Sequence, residues 1–281
     1  MNTDVLVAGA DRPMAPWFRQ VEGALSRFDP DSDLSRLNRL SGRWVIVPPL
    51  LFRAVRAALC WAAATNGAFD PTVLDALESA GYRHSFEQGQ AASAGPRPAG
   101  RWRQIALSER SRAVWLPPGV RLDLGGIGKG LAVDGAVARL WGRPRVLVDA
   151  GGDLALRTAD GDPPAVLDVA DPWVSDRTLM TFSLYRGCAA TSSVLGRTWG
   201  PGLHHIIDPA TGLPAQSDLV AATVFADTAM AADVLAKVCI IVGRERALPL
   251  LATRGGHGLL VDEAGTVTLT PRLEEYVHVD A

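Results

Sequence analysis

The segment Arg121-Leu-Asp-Leu-Gly-Gly-Ile-Gly-Lys-Gly-Leu-Ala-Val-Asp134 constrains this chain most. A short apolar run with one acid, Asp123, enters a glycine cluster that encloses Lys129. Leu131, Val133, Val137, Leu140 and Trp141 then recur at helical spacing. The pattern predicts a strand over 121–124, a tight turn and an amphipathic helix. Exposed N–H groups at a helix N-terminus attract anions, phosphates above all. The spacing fits neither the P-loop nor the Gly-x-Gly-x-x-Gly fingerprint, so a ligand-free turn is the competing reading.

The remaining periodicity is mixed. A first strand is expected over 3–9, a helix carrying Trp17, Val21, Ala24, Leu25 and Phe28, a short helix through Leu34 and Leu37, and a helix over 49–65. Strands are expected at 103–107, 113–116, 145–149, 153–157, 165–169, 179–184, 188–192, 204–207 and 221–225. Helices at 228–242 and 244–252 and strands at 257–262 and 266–270 complete the pattern. Residues 88–101, rich in Ala, Gly, Ser, Pro and Gln, read as a flexible surface loop. Strands and helices do not alternate strictly, so the expected class is α+β, with mixed sheets packed against helices. The whole of 1–281 is expected to form a single domain, with room for two α/β sub-lobes.

Composition narrows the function. A net charge of −2 gives no bulk attraction for nucleic acid. No run approaches about 20 apolar residues, so no membrane span is expected. Cys60, Cys188 and Cys239 include no Cys-x-x-Cys pair and read as reduced core residues. The start Met-Asn-Thr-Asp-Val-Leu-Val has neither a leader pattern nor a lipidation cysteine, so a cytoplasmic protein is expected.

Four further places could carry chemistry. Gly151-Gly152-Asp153 is a glycine turn after a strand, in which Asp153 could simply cap a backbone N–H. In Gly202-Leu-His-His-Ile-Ile-Asp-Pro-Ala-Thr-Gly212, His205 and Asp208 could flank a reacting group, or Asp208 could be the turn residue alone. The two histidines lack zinc-site spacing. Gly67-Ala-Phe-Asp-Pro71 reads as a cap and turn, or as a segment that stacks Phe69 on an aromatic ligand. Asp233 and Lys237 share a helix face at i, i+4. That helix is so apolar that both charges should be buried, and buried charges need partners.

In chain order, Ser26-Arg-Phe-Asp-Pro-Asp-Ser-Asp-Leu-Ser-Arg-Leu-Asn38, Gly67-Ala-Phe-Asp-Pro-Thr-Val73, Leu122-Asp-Leu-Gly-Gly-Ile-Gly-Lys-Gly130, Val148-Asp-Ala-Gly-Gly-Asp153, Ala190-Thr-Ser192, His205-Ile-Ile-Asp-Pro-Ala-Thr-Gly212 and Thr228-Ala-Met-Ala-Ala-Asp233 resemble the ApbE family, the FAD:protein FMN transferases. The resemblance spans nearly the whole chain and implies a T-fold-related α+β architecture. It implies that FAD is cleaved at its pyrophosphate, that FMN passes to a Thr or Ser of a target protein with a Ser/Thr-Gly-Ala-Thr-like acceptor motif, and that AMP leaves. Alternatives within the resemblance are hydrolysis of FAD to FMN and AMP, and FAD binding with lost or metal-independent activity.

By position, the resemblance implies that Met1, Phe28, Ala68, Phe69, Asp70, Asp123, Lys129 and Ile207 bind FAD. His205 and Asp123 would be the catalytic residues. The Gly126 carbonyl and the Asp233 carboxylate would hold magnesium (Mg2+). The chain departs from the family at Lys237, where Thr or Ser usually completes the metal site. A protonated lysine cannot ligate a metal. Lys237 could replace the ion, swing away from a weakened site, or mark a protein that binds FAD without transferring FMN.

Overall fold

Six of the strands expected between 145 and 270 assemble with the first strand into one sheet, whereas those at 165–169 and 179–184 pair as a separate hairpin. The computed structural model describes residues 3–174 and 176–273, and Met1 lies outside the described residues. The chain forms two compact units. The first comprises Ala15–Gly128 and Arg197–Gln216; the second comprises Thr3–Met14, Lys129–Gly196 and the described residues of 217–273.

The second unit is built on a seven-stranded sheet. Its strands, numbered in chain order, are β1 (Val5–Ala8), β2 (Val146–Ala150), β3 (Leu154–Arg157), β4 (Arg186–Ser193), β5 (Leu219–Ala226), β6 (His257–Asp262) and β7 (Val267–Leu269). Their order in space follows their order in the chain, and each neighbouring pair is antiparallel. β5, Leu-Val-Ala-Ala-Thr-Val-Phe-Ala, is buried along all but its last residue, as a central strand covered on both faces must be. The hairpin Ala165–Ala170/Thr178–Leu184 covers one face, with Phe182 against Phe225 at 4.9 Å. The helix Ala229–Val242 packs across β4 and β5, and the helix Arg244–Arg254 packs against that helix and β6.

The first unit is mainly helical: Ala15–Leu25, Asp33–Arg39, Pro49–Ala64 and Leu74–Ser79. Strands Trp44–Ile46, Ala113–Trp115 and Ala106–Ser108 form a small sheet with Ala113–Trp115 in the middle. The predicted helix stripe of Trp17, Val21, Ala24 and Leu25 is buried, whereas Phe28 lies beyond the helix end. Residues 89–101 carry no helix or strand. They are pinned to the unit by the Ala91 and Ala94 N–H groups on the Gly81 and Ser79 carbonyls.

Two strand expectations are corrected. Residues 121–124 form no strand. Their backbone groups are satisfied elsewhere: the Asn38 amide donates to Leu122 O (2.9 Å) and accepts from Leu122 N (2.8 Å), and Asp123 N donates to Pro71 O. The predicted strand 204–207 is broken into Leu203–His204 and Ile207–Asp208, which pair with Thr198–Gly200 and Leu213–Pro214. The His204 ring sits at the break: it accepts from Ile206 N at Nδ1 and donates from Nε2 to Ala215 O, beside a backbone bond from Ala215 N to Ile206 O. Among the described residues, no helix is long and apolar enough to cross a membrane.

Candidate functional site

Each unit gathers its own group of the residues singled out from the sequence. In the first, the glycine turn starts from Asp123. Its Oδ1 accepts from Gly125 N at 2.8 Å, an Asx turn that fixes the entry to the glycines. Its Oδ2 lies 2.7 Å from Arg27 Nε, and both side chains are largely buried, at 11% and 6% exposure. Arg27 also donates to Tyr82 O at 2.8 Å. Its guanidinium sits 4.1 Å above the Phe28 ring and 4.7 Å above that of Tyr82.

Around this ion pair the aromatic rings form a row. Phe28 meets Tyr82 edge-on at 5.6 Å, Tyr82 stacks on Trp199 at 5.5 Å, and His205 meets Tyr82 edge-on at 6.5 Å. Burial pushes the Tyr82 phenol pKa up, partly offset by Arg197 and Arg27. Phe28 is 38% exposed and presents its ring to solvent. Phe69 and Ile207 are buried; Ile207 clusters with Ala76, Leu77, Ala80 and Tyr82 and so supports the aromatic row from behind.

Asp70 takes the turn role: its Oδ1 accepts from Thr72 N and Thr72 Oγ1, both at 2.7 Å. Burial raises its pKa, partly offset by these bonds. Ala68 is half-buried between Gly67 and Phe69. Asp208 is likewise a turn residue, accepting from Ala210 N and Gly212 N. A separate cleft of 640 Å³ in this unit, lined by Asp75, Glu78, Arg83, Arg97 and Arg121 among others, contains none of the predicted site residues.

In the second unit, the helix Gly128–Arg139 and the helix Ala229–Val242 approach each other at Gly130. A methyl group on Gly130 would fall 2.5 Å from Met230 Cα and 2.6 Å from Ala229 O. That approach lets Gly130 N donate to Asp233 Oδ2 at 3.3 Å. The anion at the start of this helix is therefore a protein carboxylate. Asp233 Oδ1 accepts from Lys237 Nζ at 3.0 Å, with side-chain exposures of 3% and 18%. Lys129 Nζ lies 2.8 Å from Asp153 Oδ2, and Asp153 is 1% exposed. Burial, and then the charge of Asp233, push the Asp153 pKa up to about 7 against the opposing pull of Lys129 and Lys237. A third acid, Asp134, accepts from Ala229 N (2.8 Å) and Met230 N (3.1 Å), while Thr228 caps the same helix through Ala231 N. Burial raises the Asp134 pKa as well.

Gly126 belongs to the first unit and Asp233 to the second. Asp153 does not cap the turn, because Asp149 Oδ1 takes Gly152 N (2.8 Å) and leaves the Asp153 side chain for Lys129. Arg27, Tyr82 and Trp199 escape the sequence reading as site residues. Arg27 sits inside a quoted motif, so its charge beside Phe28 was the available signal. Tyr82 and Trp199 stand in no motif.

The sequence profile of the ApbE family matches residues 1–260. A curated relative from Treponema pallidum, named FAD:protein FMN transferase, is 30% identical over 267 residues, covering 83% of this chain and 71% of that protein. The solved ApbE protein of Thermotoga maritima superposes with a TM-score of 0.87 at 26% identity, covering 99% of this chain and 96% of that one. The flavin transferase ApbE of Vibrio cholerae shares the fold, with a TM-score of 0.80 at 22% identity over 98% of this chain and 96% of its own.

Proposed function

This chain belongs to the ApbE family, and we propose that it is an FAD:protein FMN transferase. In the proposed reaction a Ser or Thr hydroxyl oxygen of the acceptor protein bonds to the FMN phosphorus. The pyrophosphate P–O bond breaks, AMP leaves with the bridging oxygen, and the hydroxyl proton passes to a base. The observation that carries the reading is the family match over residues 1–260, which contains every motif quoted from the sequence.

The geometry supports roles for particular residues. Phosphoryl transfer asks a protein mainly for positioning and charge neutralisation. The exposed Phe28 ring, backed by Arg27 and Tyr82, suits the face of a flavin. Asp123 has Arg27 on one oxygen and Gly125 N on the other, which suits anchoring FAD more than removing a proton. We therefore assign the base to His205, beside Tyr82. We assign Ala68, Phe69, Asp70 and Ile207 to the wall of this site.

The magnesium ion implied by the resemblance does not fit the donors present. Asp233 Oδ1 is taken by an ammonium and Oδ2 by a backbone N–H. Among the described residues, no three His, Cys, Asp or Glu side chains form a group that could hold a metal. No part of the proposed reaction is assigned to a metal.

The test is incubation with FAD and a peptide bearing Ser/Thr-Gly-Ala-Thr. Covalent flavin fluorescence on the peptide and an equal amount of AMP are expected. AMP with free FMN and unmodified peptide would make the protein a hydrolase. FAD recovered intact would remove the enzyme reading.

A further inference from the structure

We propose that Lys237 is a built-in replacement for a divalent cation, so that this site holds no such ion and FAD is processed without one. The proposal rests on the transferase reading above. It is carried by the charge arrangement of the second unit. Lys129 and Lys237 each reach a carboxylate that is almost fully buried, Asp153 and Asp233 respectively. With both acids ionised, two ammonium groups answer two carboxylates, and the group is balanced from within. Asp134 is spent on the N–H groups of Ala229 and Met230 and adds no open ligand.

Asp233 itself has no oxygen to spare for an incoming ion without losing a bond. Lys237 holds Oδ1 at ion-pair distance, and Gly130 N, fixed by the close helix approach at Gly130, holds Oδ2. An ion entering here would have to displace an ammonium that sits one helical turn from its acid on the same helix. It would also meet that ammonium's repulsion at close range. Replacing Lys237 by threonine would leave one ammonium for two carboxylates and add a hydroxyl oxygen, the donor type that hard divalent cations take. The identity of this one side chain therefore decides whether the group is balanced or cation-seeking.

The test uses the full chain with FAD bound and Mn2+ as the probe, read by loss of the free-ion electron paramagnetic resonance signal. Wild type and Lys237→Arg are expected to leave the free Mn2+ signal at the amplitude of a protein-free sample, as for a site no tighter than about millimolar. Lys237→Thr is expected to bind about one Mn2+ per chain at least tenfold more tightly than wild type. In parallel, AMP release by wild type is expected to stay within about twofold in excess EDTA. Stoichiometric Mn2+ binding by wild type as tight as that of Lys237→Thr would overturn the proposal, as would loss of wild-type AMP release in EDTA. Should Lys237→Thr fail to fold by circular dichroism, the wild-type and Lys237→Arg titrations decide the matter alone. Absence of AMP under every condition would sink the transferase reading, while the Mn2+ titration would still decide this one.

Discussion

In the first unit the buried acid Asp123 meets an arginine; in the second, Asp153 and Asp233 meet lysines. The difference is more than a choice of cation. Arg27 is as buried as its acid and is fixed on three sides, by Asp123, by the Tyr82 carbonyl and by two aromatic rings. A planar guanidinium can meet all of these at once. The lysines instead reach buried acids from partly exposed positions, with point charges on flexible stems. The first arrangement holds one geometry. The second holds a charge balance whose members can be exchanged or protonated.

Breaking the rigid arrangement should have the largest effect. Arg27→Met leaves Asp123 buried without its partner, which typically costs about 3–5 kcal/mol. Urea denaturation should report that loss, and FAD affinity should fall with it because Phe28 loses its support. An effect below about 1 kcal/mol would mean that Asp123 relaxes into solvent, and that the first unit is no more rigid than the second.

The next effect tests the helix approach behind the lysines. In Gly130→Ala the added methyl meets backbone atoms of Ala229 and Met230, not a movable side chain. The two helices must part, at about 1–3 kcal/mol for overpacking, and the Gly130 N–H bond to Asp233 stretches with them. Thermal unfolding checks the cost. A crystal structure of the variant with the Gly130–Asp233 bond unchanged would show that the approach does not position Asp233.

How far these features can be read from the sequence differs between the units for the same physical reason. The apolar helix around Asp233 and Lys237 announced a buried acid with a lysine beside it, because local periodicity places both on one face, although Lys237 itself stays partly exposed. Asp123 was equally visible, but its partner Arg27 lies almost a hundred residues away in the chain, and no local pattern encodes that pairing. Periodicity misreads 121–124 as a strand because an apolar run looks the same whether a strand or the Asn38 side chain satisfies its backbone. Asp153 illustrates the opposite failure. A glycine turn invites a capping role, yet Asp149 performs it, and the freed Asp153 becomes the most buried acid of the charge group.

The smallest effect isolates the exchangeable balance. Lys129→Met removes the cation from Asp153, whose pKa burial and Asp233 already raise to about 7. A carboxyl with a raised folded-state pKa contributes stability that is complete below its unfolded value near 3.8 and is lost as pH climbs through the folded value. In wild type that loss falls between about pH 4 and pH 7. Without Lys129 the folded-state pKa rises further, so the loss continues to higher pH. At pH 5 the acid is mostly protonated in both proteins, and their unfolding free energies should nearly coincide. Above pH 7 the variant should fall behind by about 1.4 kcal/mol for each further unit of pKa. Denaturation midpoints at pH 5, 7 and 9 measure this directly. A gap of full size already at pH 5 would mean that Lys129 acts by packing its stem, and that the second unit, like the first, is held by geometry and not by charge balance.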